Sequence, residues 1–159
     1  MRLSFSTLLK QPIHFLAFGF GAGLMPQAPG TFGTLVAVPV YLLIMQLSLP
    51  VYLMVVVFMT AVGVWVCGRT STDLGVHDHG GIVWDEMVGY LVTLTAVPPS
   101  WWNMLLAFVL FRLFDIAKPW PISWVDRRVS GGLGIMIDDI IAALFALPIL
   151  HLINYLLTF

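Results

Sequence analysis

Asp78-His79-Gly80-Gly81-Ile82-Val83-Trp84-Asp85-Glu86-Met87-Val88-Gly89 is the stretch whose reading decides the fold. In a chain with 60% hydrophobic and 9% charged residues, it sets two carboxylates, Asp85 and Glu86, side by side at the mouth of an apolar run. A buried carboxylate costs several kcal/mol unless it is paired, protonated or bound to a cation. Two adjacent ones beside lipid or helix core call for a cause, and a divalent metal is the best one.

Outward from that stretch, composition sets the class. A length of 159 residues fits a single domain, residues 1–159. Soluble domains carry about 25% charged residues; this chain has 9% and a mean hydropathy of +0.98. It reads as a polytopic membrane protein, and the apolar segments taken in order below read as helices, an all-α fold. The single cysteine, Cys67, excludes an internal disulfide and any CxxC site. Asp73 stands six positions after it, so the Cys-x5-Arg phosphatase signature is absent. The N-terminus has no clear apolar core and cleavage site of a signal peptide.

Residues 13–25 are apolar but interrupted by Gly19, Gly21 and Gly23. Spanning a bilayer takes about 20 residues, so a short interfacial or re-entrant helix is expected there. Four to five transmembrane helices should follow, over roughly residues 33–47, 51–68, 82–96, 101–117 and 135–157, the third short for a full span. Thr31 is a plausible N-cap for the first. Pro148 predicts a kink in the last, and residues 120–134 read as a polar connection.

The charges then choose a side. The turns at Pro50 and at Pro98-Pro99 are uncharged, which places Arg2, Lys10, Arg69, Lys118, Arg127 and Arg128 on the opposite face. By the positive-inside rule that face is cytoplasmic. All eight acids fall between Asp73 and Asp139, on or just inside the same face. Chemistry is therefore expected at the cytoplasmic end of the bundle.

Asp85/Glu86, Asp115 and Asp138/Asp139 come from three helices, each near that end. Hard oxygen ligands without His or Cys partners suit Mg2+, an ion that binds phosphate and lowers the pKa of a coordinated water. The alternative is that these acids pair with Arg112, Lys118 and Arg69. Arg112, Asp115 and Lys118 repeat every three residues and share one broad helix face, where Arg can offer a fork and Lys a point charge to phosphate. The stretch Pro29-Gly30-Thr31-Phe32-Gly33-Thr34 feeds a helix N-terminus that could hold an anion. It lacks the lysine of a P-loop, so nucleotide binding is not indicated, and nothing points to nucleic acid. His14 and His151 read as core residues, whereas His77 and His79 could form a transition-metal site. Small residues at Gly89, Ala142 and Ala143 would let helices approach closely enough to share one ion.

Together the motifs resemble the phosphatidylglycerophosphatase A family. The pieces that carry the resemblance are Gly19 to Gly23 with Pro29-Gly30-Thr31-x-Gly33-Thr34, and Asp78-x-x-x-Ile82-Val83-x-Asp85-Glu86-x-x-Gly89. Phe111-Arg112-x-Phe114-Asp115-Ile116-x-Lys118-Pro119-x-Pro121-Ile122 and Gly131-Gly132-x-Gly134-x-Met136-x-Asp138-Asp139 complete them, in order over most of the chain. His79 departs from the pattern, where proline is expected. The resemblance implies a helical bundle around a central helix in the bacterial inner membrane. It also implies a Mg2+-dependent lipid phosphatase converting phosphatidylglycerophosphate to phosphatidylglycerol. Asp85, Glu86, Asp115, Asp138 and Asp139 would form its metal site, with catalysis by Asp85, Glu86 and Asp115. Thr31, Gly33, Thr34, Arg112 and Lys118 would hold the phosphate. The rival reading is a small cation or proton-coupled transporter using the same carboxylates, although acids at helix ends rather than mid-helix favour interfacial catalysis.

Overall fold

The computed structural model describes residues 5–76 and 79–158. Helices α1 (Phe5–Leu9) and α2 (Pro12–Ala17) and a 3-10 turn (Gly19–Leu24) lead into α3 (Pro29–Ile44) and α4 (Leu49–Leu74). After them come α5 (Trp84–Thr93), α6 (Trp101–Ala117), α7 (Ile122–Arg128) and α8 (Gly131–Thr158). No strand occurs among the described residues.

α5 is the centre. It packs against α3, α4, α6 and α8, and eight of its ten residues are buried. Its Met87, Val88, Tyr90 and Leu91 meet a core that includes Phe111 of α6 and Ala142, Ala143 and Ala146 of α8. α8 closes the bundle against α4, α5, α6 and α7. Its crossing with α4 runs backbone to backbone: a methyl group on Gly132 would lie 2.8 Å from Gly68 N and collide with Val64 O.

Among the described residues, only α4 and α8 are both long and apolar enough to cross a membrane, and α3 is apolar but shorter. That is fewer full-length spans than the sequence suggests, because α3 and α6 are only 16 and 17 residues long and α5 stops after ten residues, or about 15 Å at 1.5 Å per residue. Its early end frees backbone carbonyls inside an apolar bundle, where each needs a partner. Side chains from other helices supply them. Tyr52 Oη donates to Leu91 O at 2.7 Å, His151 Nε2 to Thr95 O at 3.0 Å, and Asn103 Nδ2 to Pro98 O at 2.8 Å. Asn103 and Asn154 also exchange amide hydrogen bonds, tying α6 to α8 at the same level.

The two uncharged turns sit together, since Leu47, Leu49, Ala96, Val97 and Pro99 line one cavity of about 110 Å³. The acids lie at the opposite end. Several boundaries differ from the sequence reading. α3 starts at Pro29, a residue suited to a first helical position, so Ala28 flanks the helix and Thr31 stands inside the first turn rather than capping it. α4 continues past Arg69 to Leu74, because its polar last turns bond locally: Thr72 Oγ1 donates to Gly68 O and Arg69 pairs with Asp73. The connection before α8 contains α7, and α8 begins at Gly131 and stays helical through Pro148.

Candidate metal and phosphate site

The approach to α5 is held from both sides. Val83 N donates to Ala17 O at 2.9 Å, and the Trp84 indole donates to Met59 O of α4 at 2.9 Å. The next two residues are Asp85 and Glu86, in the first turn of α5. Gly89, one turn on, presses against α6 and α8: a methyl group there would lie 2.5 Å from the Phe111 ring and 3.3 Å from Asp139 O. This close approach brings Asp139 to the α5 carboxylates. Ligand oxygens of Asp85, Glu86 and Asp139 lie within 4.8 Å of one another.

These groups are deeply placed. Asp85 is 8% and Asp139 3% exposed. One oxygen on each of Asp85, Glu86 and Asp139 is buried without a hydrogen-bond partner, and so is Arg112 Nε. Three clustered carboxylates with orphaned oxygens repel one another and lack solvation. An all-oxygen donor set of this kind fits a hard divalent cation.

The other two predicted ligands are differently engaged. Asp115 forms an ion pair with Arg112 one turn away, and Arg112 Nη1 also stands 3.7 Å from Glu86. Asp138 Oδ2 accepts from Lys118 Nζ at 2.6 Å, and the same ammonium bonds Asp126 at 2.6 Å. Burial alone would lower the Lys118 pKa, but the hydrogen bonds and charges of those two carboxylates outweigh it and raise it above the ordinary lysine value. The acids thus divide into Asp85 and Asp139, which form no ion pair among the described residues, and Glu86, Asp115 and Asp138, which face Arg112 or Lys118.

The loop predicted to bind phosphate contributes mainly through a residue not singled out from sequence. Gly30 lets the start of α3 touch the site, since a methyl group on it would lie 2.9 Å from Arg112 Nη1 and nearer still to Glu86 Oε1. Gly33 packs against Val83, and Thr34 is fully buried with its hydroxyl donating to Gly30 O at 2.9 Å. Thr31 is half-buried in the first turn. Asp126 was likewise missed, for an isolated Asp in a polar stretch carries no distinguishing signal. His79 Nδ1 accepts from Gly81 N at 3.1 Å within its own turn, while His77 and Asp78 lie outside the described residues.

The family model of Phosphatidylglycerophosphatase A matches residues 15–154, from α2 to the last turns of α8. This chain belongs to the phosphatidylglycerophosphatase A family. Phosphatidylglycerophosphatase A of Escherichia coli (strain K12) is 49% identical over 148 residues, covering 92% of this chain and 86% of the relative. The Haemophilus influenzae protein of the same name is 45% identical over 149 residues, covering 92% and 91%. A Bacteroides thetaiotaomicron protein, provisionally named a phosphatidylinositol-3-phosphatase, is 36% identical over 137 residues, covering 80% and 84%. No solved structure matches the chain. The match spans every site residue discussed above, so the acidic trio and its flanking cations lie within the family's shared segment.

Proposed function

We propose that this protein hydrolyses the terminal phosphate monoester of phosphatidylglycerophosphate, releasing phosphatidylglycerol and inorganic phosphate. The observation that carries the reading is the convergence of Asp85, Glu86 and Asp139, with orphaned oxygens, beside Arg112 and Lys118. The names of the Escherichia coli and Haemophilus influenzae relatives supply the substrate.

In this reading Asp85, Glu86 and Asp139 hold Mg2+, with Asp115 and Asp138 beside them. When bound, the ion supplies positive charge to the phosphoryl oxygens and activates water. The chain's own cations do the rest of the electrostatic work. Arg112, beside Glu86, and Lys118, held by Asp138, neutralise charge on the transferring phosphoryl group, whose oxygens carry the negative charge in the transition state. A water oxygen attacks phosphorus in line, the P–O bond to the glycerol oxygen breaks, and that oxygen takes up a proton. Glu86 or Asp115, both facing Arg112, would accept the proton that the attacking water loses.

The topology belongs to the same proposal. α3, α4, α6 and α8, with α5 completed by the connection to α6, cross the inner membrane, and the charged end faces the cytoplasm. Phosphatidylglycerophosphate would keep its acyl chains in the bilayer and present its headgroup at that end. The transporter alternative gains no support from the relatives found. The deciding assay is phosphate release from phosphatidylglycerophosphate by purified protein in mixed micelles, with Mg2+ and with chelator. Turnover abolished by chelator and restored by Mg2+ is expected; absence of phosphate release under both conditions would overturn the reading.

A further inference from the structure

Away from the carboxylates, the turn before α2, α2 itself and α4 line a pocket that carries charged side chains. It has a volume of about 380 Å³ and is lined by Lys10, Gln11, Pro12, Ile13, His14, Trp65, Arg69 and Asp73. Its charge is mixed but leans positive. Arg69 and Asp73 pair at 3.0 Å, and His14 is held between Thr70 Oγ1 at 2.9 Å and Asp73 Oδ2 at 3.6 Å. Lys10 is exposed and forms no ion pair among the described residues. The His14 and Arg69 contacts tie down the single carboxylate, leaving the Lys10 ammonium and the outward edge of Arg69, whose side chain is 60% exposed, to face a ligand.

The pocket also has a fixed place along α4. Met54, Phe58, Ala61, Trp65 and Arg69 follow one another at intervals of three or four residues and form one exposed stripe. Read along the helix, the stripe is apolar, then a Trp that is 61% exposed, then a guanidinium. That is the order expected from membrane interior through interface to headgroup level. Below Trp65 the same stripe borders an apolar groove of about 490 Å³, lined by Pro50, Leu53, Met54, Val57, Phe58 and Ala61. Ala61 and Arg69 are eight residues apart, about 12 Å of helix rise. A single amphipathic molecule with an anionic head and an acyl chain can therefore span both.

We infer that α2 and α4 form a second lipid site, separate from the acidic trio, in which Lys10 and Arg69 hold the phosphate of an anionic phospholipid and the α4 groove takes its acyl chain. The phosphate chemistry could also be met by free inorganic phosphate. Continuity with the apolar groove assigns the site to the lipid.

The test uses the full-length protein in phosphatidylcholine vesicles containing a small fraction of phosphatidylglycerol, with bromine on the acyl chains of one lipid at a time. Bromine quenches tryptophan on contact. Brominated phosphatidylglycerol should quench more, per molecule, than brominated phosphatidylcholine. Trp65→Phe should remove the share of that excess that Trp65 reports, and Lys10→Gln/Arg69→Gln should lower it by the same amount. The charge-conserving Lys10→Arg should keep it. Removing both charges should lower the preference for the anionic lipid roughly 30-fold, the equivalent of about 2 kcal/mol at about 1 kcal/mol per basic side chain. Unchanged helicity by circular dichroism, together with retained phosphate release, verifies that the variants are folded. An excess that neither Lys10→Gln/Arg69→Gln nor Trp65→Phe diminishes overturns the site. Loss of the excess on adding millimolar inorganic phosphate assigns the pocket to free phosphate and overturns the lipid.

Discussion

Gly30→Ala asks whether the start of α3 sets the geometry of the candidate site. The added methyl carbon would lie 2.9 Å from Arg112 Nη1 and nearer to Glu86 Oε1, whereas ordinary contacts are 3.4–4 Å. The guanidinium must retreat by at least 0.5 Å to reach 3.4 Å, and the carboxylate must move further. Both obstacles are the far ends of flexible side chains, so the fold can absorb the change. Reacting groups are less forgiving, and a misplacement of about 1 Å costs on the order of 100-fold in rate. Gly30→Ala should therefore lower kcat/KM for phosphatidylglycerophosphate by about two orders of magnitude while moving Tm by no more than about 2–4 °C, the shift of roughly 1 kcal/mol in a chain of this size. Phosphate release and thermal unfolding, measured on the same detergent-solubilised preparation, separate the two effects. Wild-type kcat/KM in Gly30→Ala would refute the claim that α3 buttresses Glu86 and Arg112. A collapse of Tm with proportionate loss of activity would show instead that the contact is structural.

Three further outcomes follow from the same geometry. Asp139→Asn should lose Mg2+-dependent turnover yet raise Tm in chelator by about 2–4 °C, since removing one of three clustered charges relieves about 1 kcal/mol of repulsion; a lowered Tm in chelator would contradict repulsion among the clustered carboxylates. Arg112→Lys should remain impaired by about 10- to 150-fold in kcat/KM, the value of roughly 1.5–3 kcal/mol for a lost charge-assisted contact, with Mg2+ affinity little changed; normal turnover in single-substrate kinetics would make Arg112 a structural partner of Asp115. A cysteine at exposed Ser48, in a Cys67→Ala background, should react with an impermeant thiol reagent added outside the inner membrane, and labelling only after the membrane is opened would invert the proposed topology.

The sequence was most legible where composition and local chemistry agree. Residues 101–117 coincide with α6, because Ser100 begins a long apolar run and accepts a hydrogen bond from Asn103 N, while Lys118 and Pro119 end it. A bundle around a central helix also emerges as the family resemblance implies, and Gly89 allows the close approach that the spacing suggests. Misreadings cluster where polarity stands for something other than a loop. The end of α4 carries Arg69, Thr70, Ser71, Thr72 and Asp73, which bond to one another, to His14 or to nearby backbone rather than marking a helix end. Within the site, spacing put five acids at one end but could not sort them. Which acids stay unpaired depends on the side-chain reach of Arg112 and Lys118 across helices, a property of packing alone. Gly30 was hidden for a related reason, since only the folded chain reveals what its missing side chain makes room for.

The clamps at the far end of α5 fix more than its carbonyls. Leu91 is gripped by Tyr52, and Tyr90 donates to Met104 O at 3.0 Å, so the tail of this helix cannot turn independently of its neighbours. With 3.6 residues per turn, each residue inserted or deleted between Met87 and Tyr90 would rotate the head of α5 by about 100° and carry Asp85 and Glu86 away from Asp139. The angular phase of the acidic pair is thus fixed at both ends of α5, and the number of residues between the two clamps is as constrained as their identity.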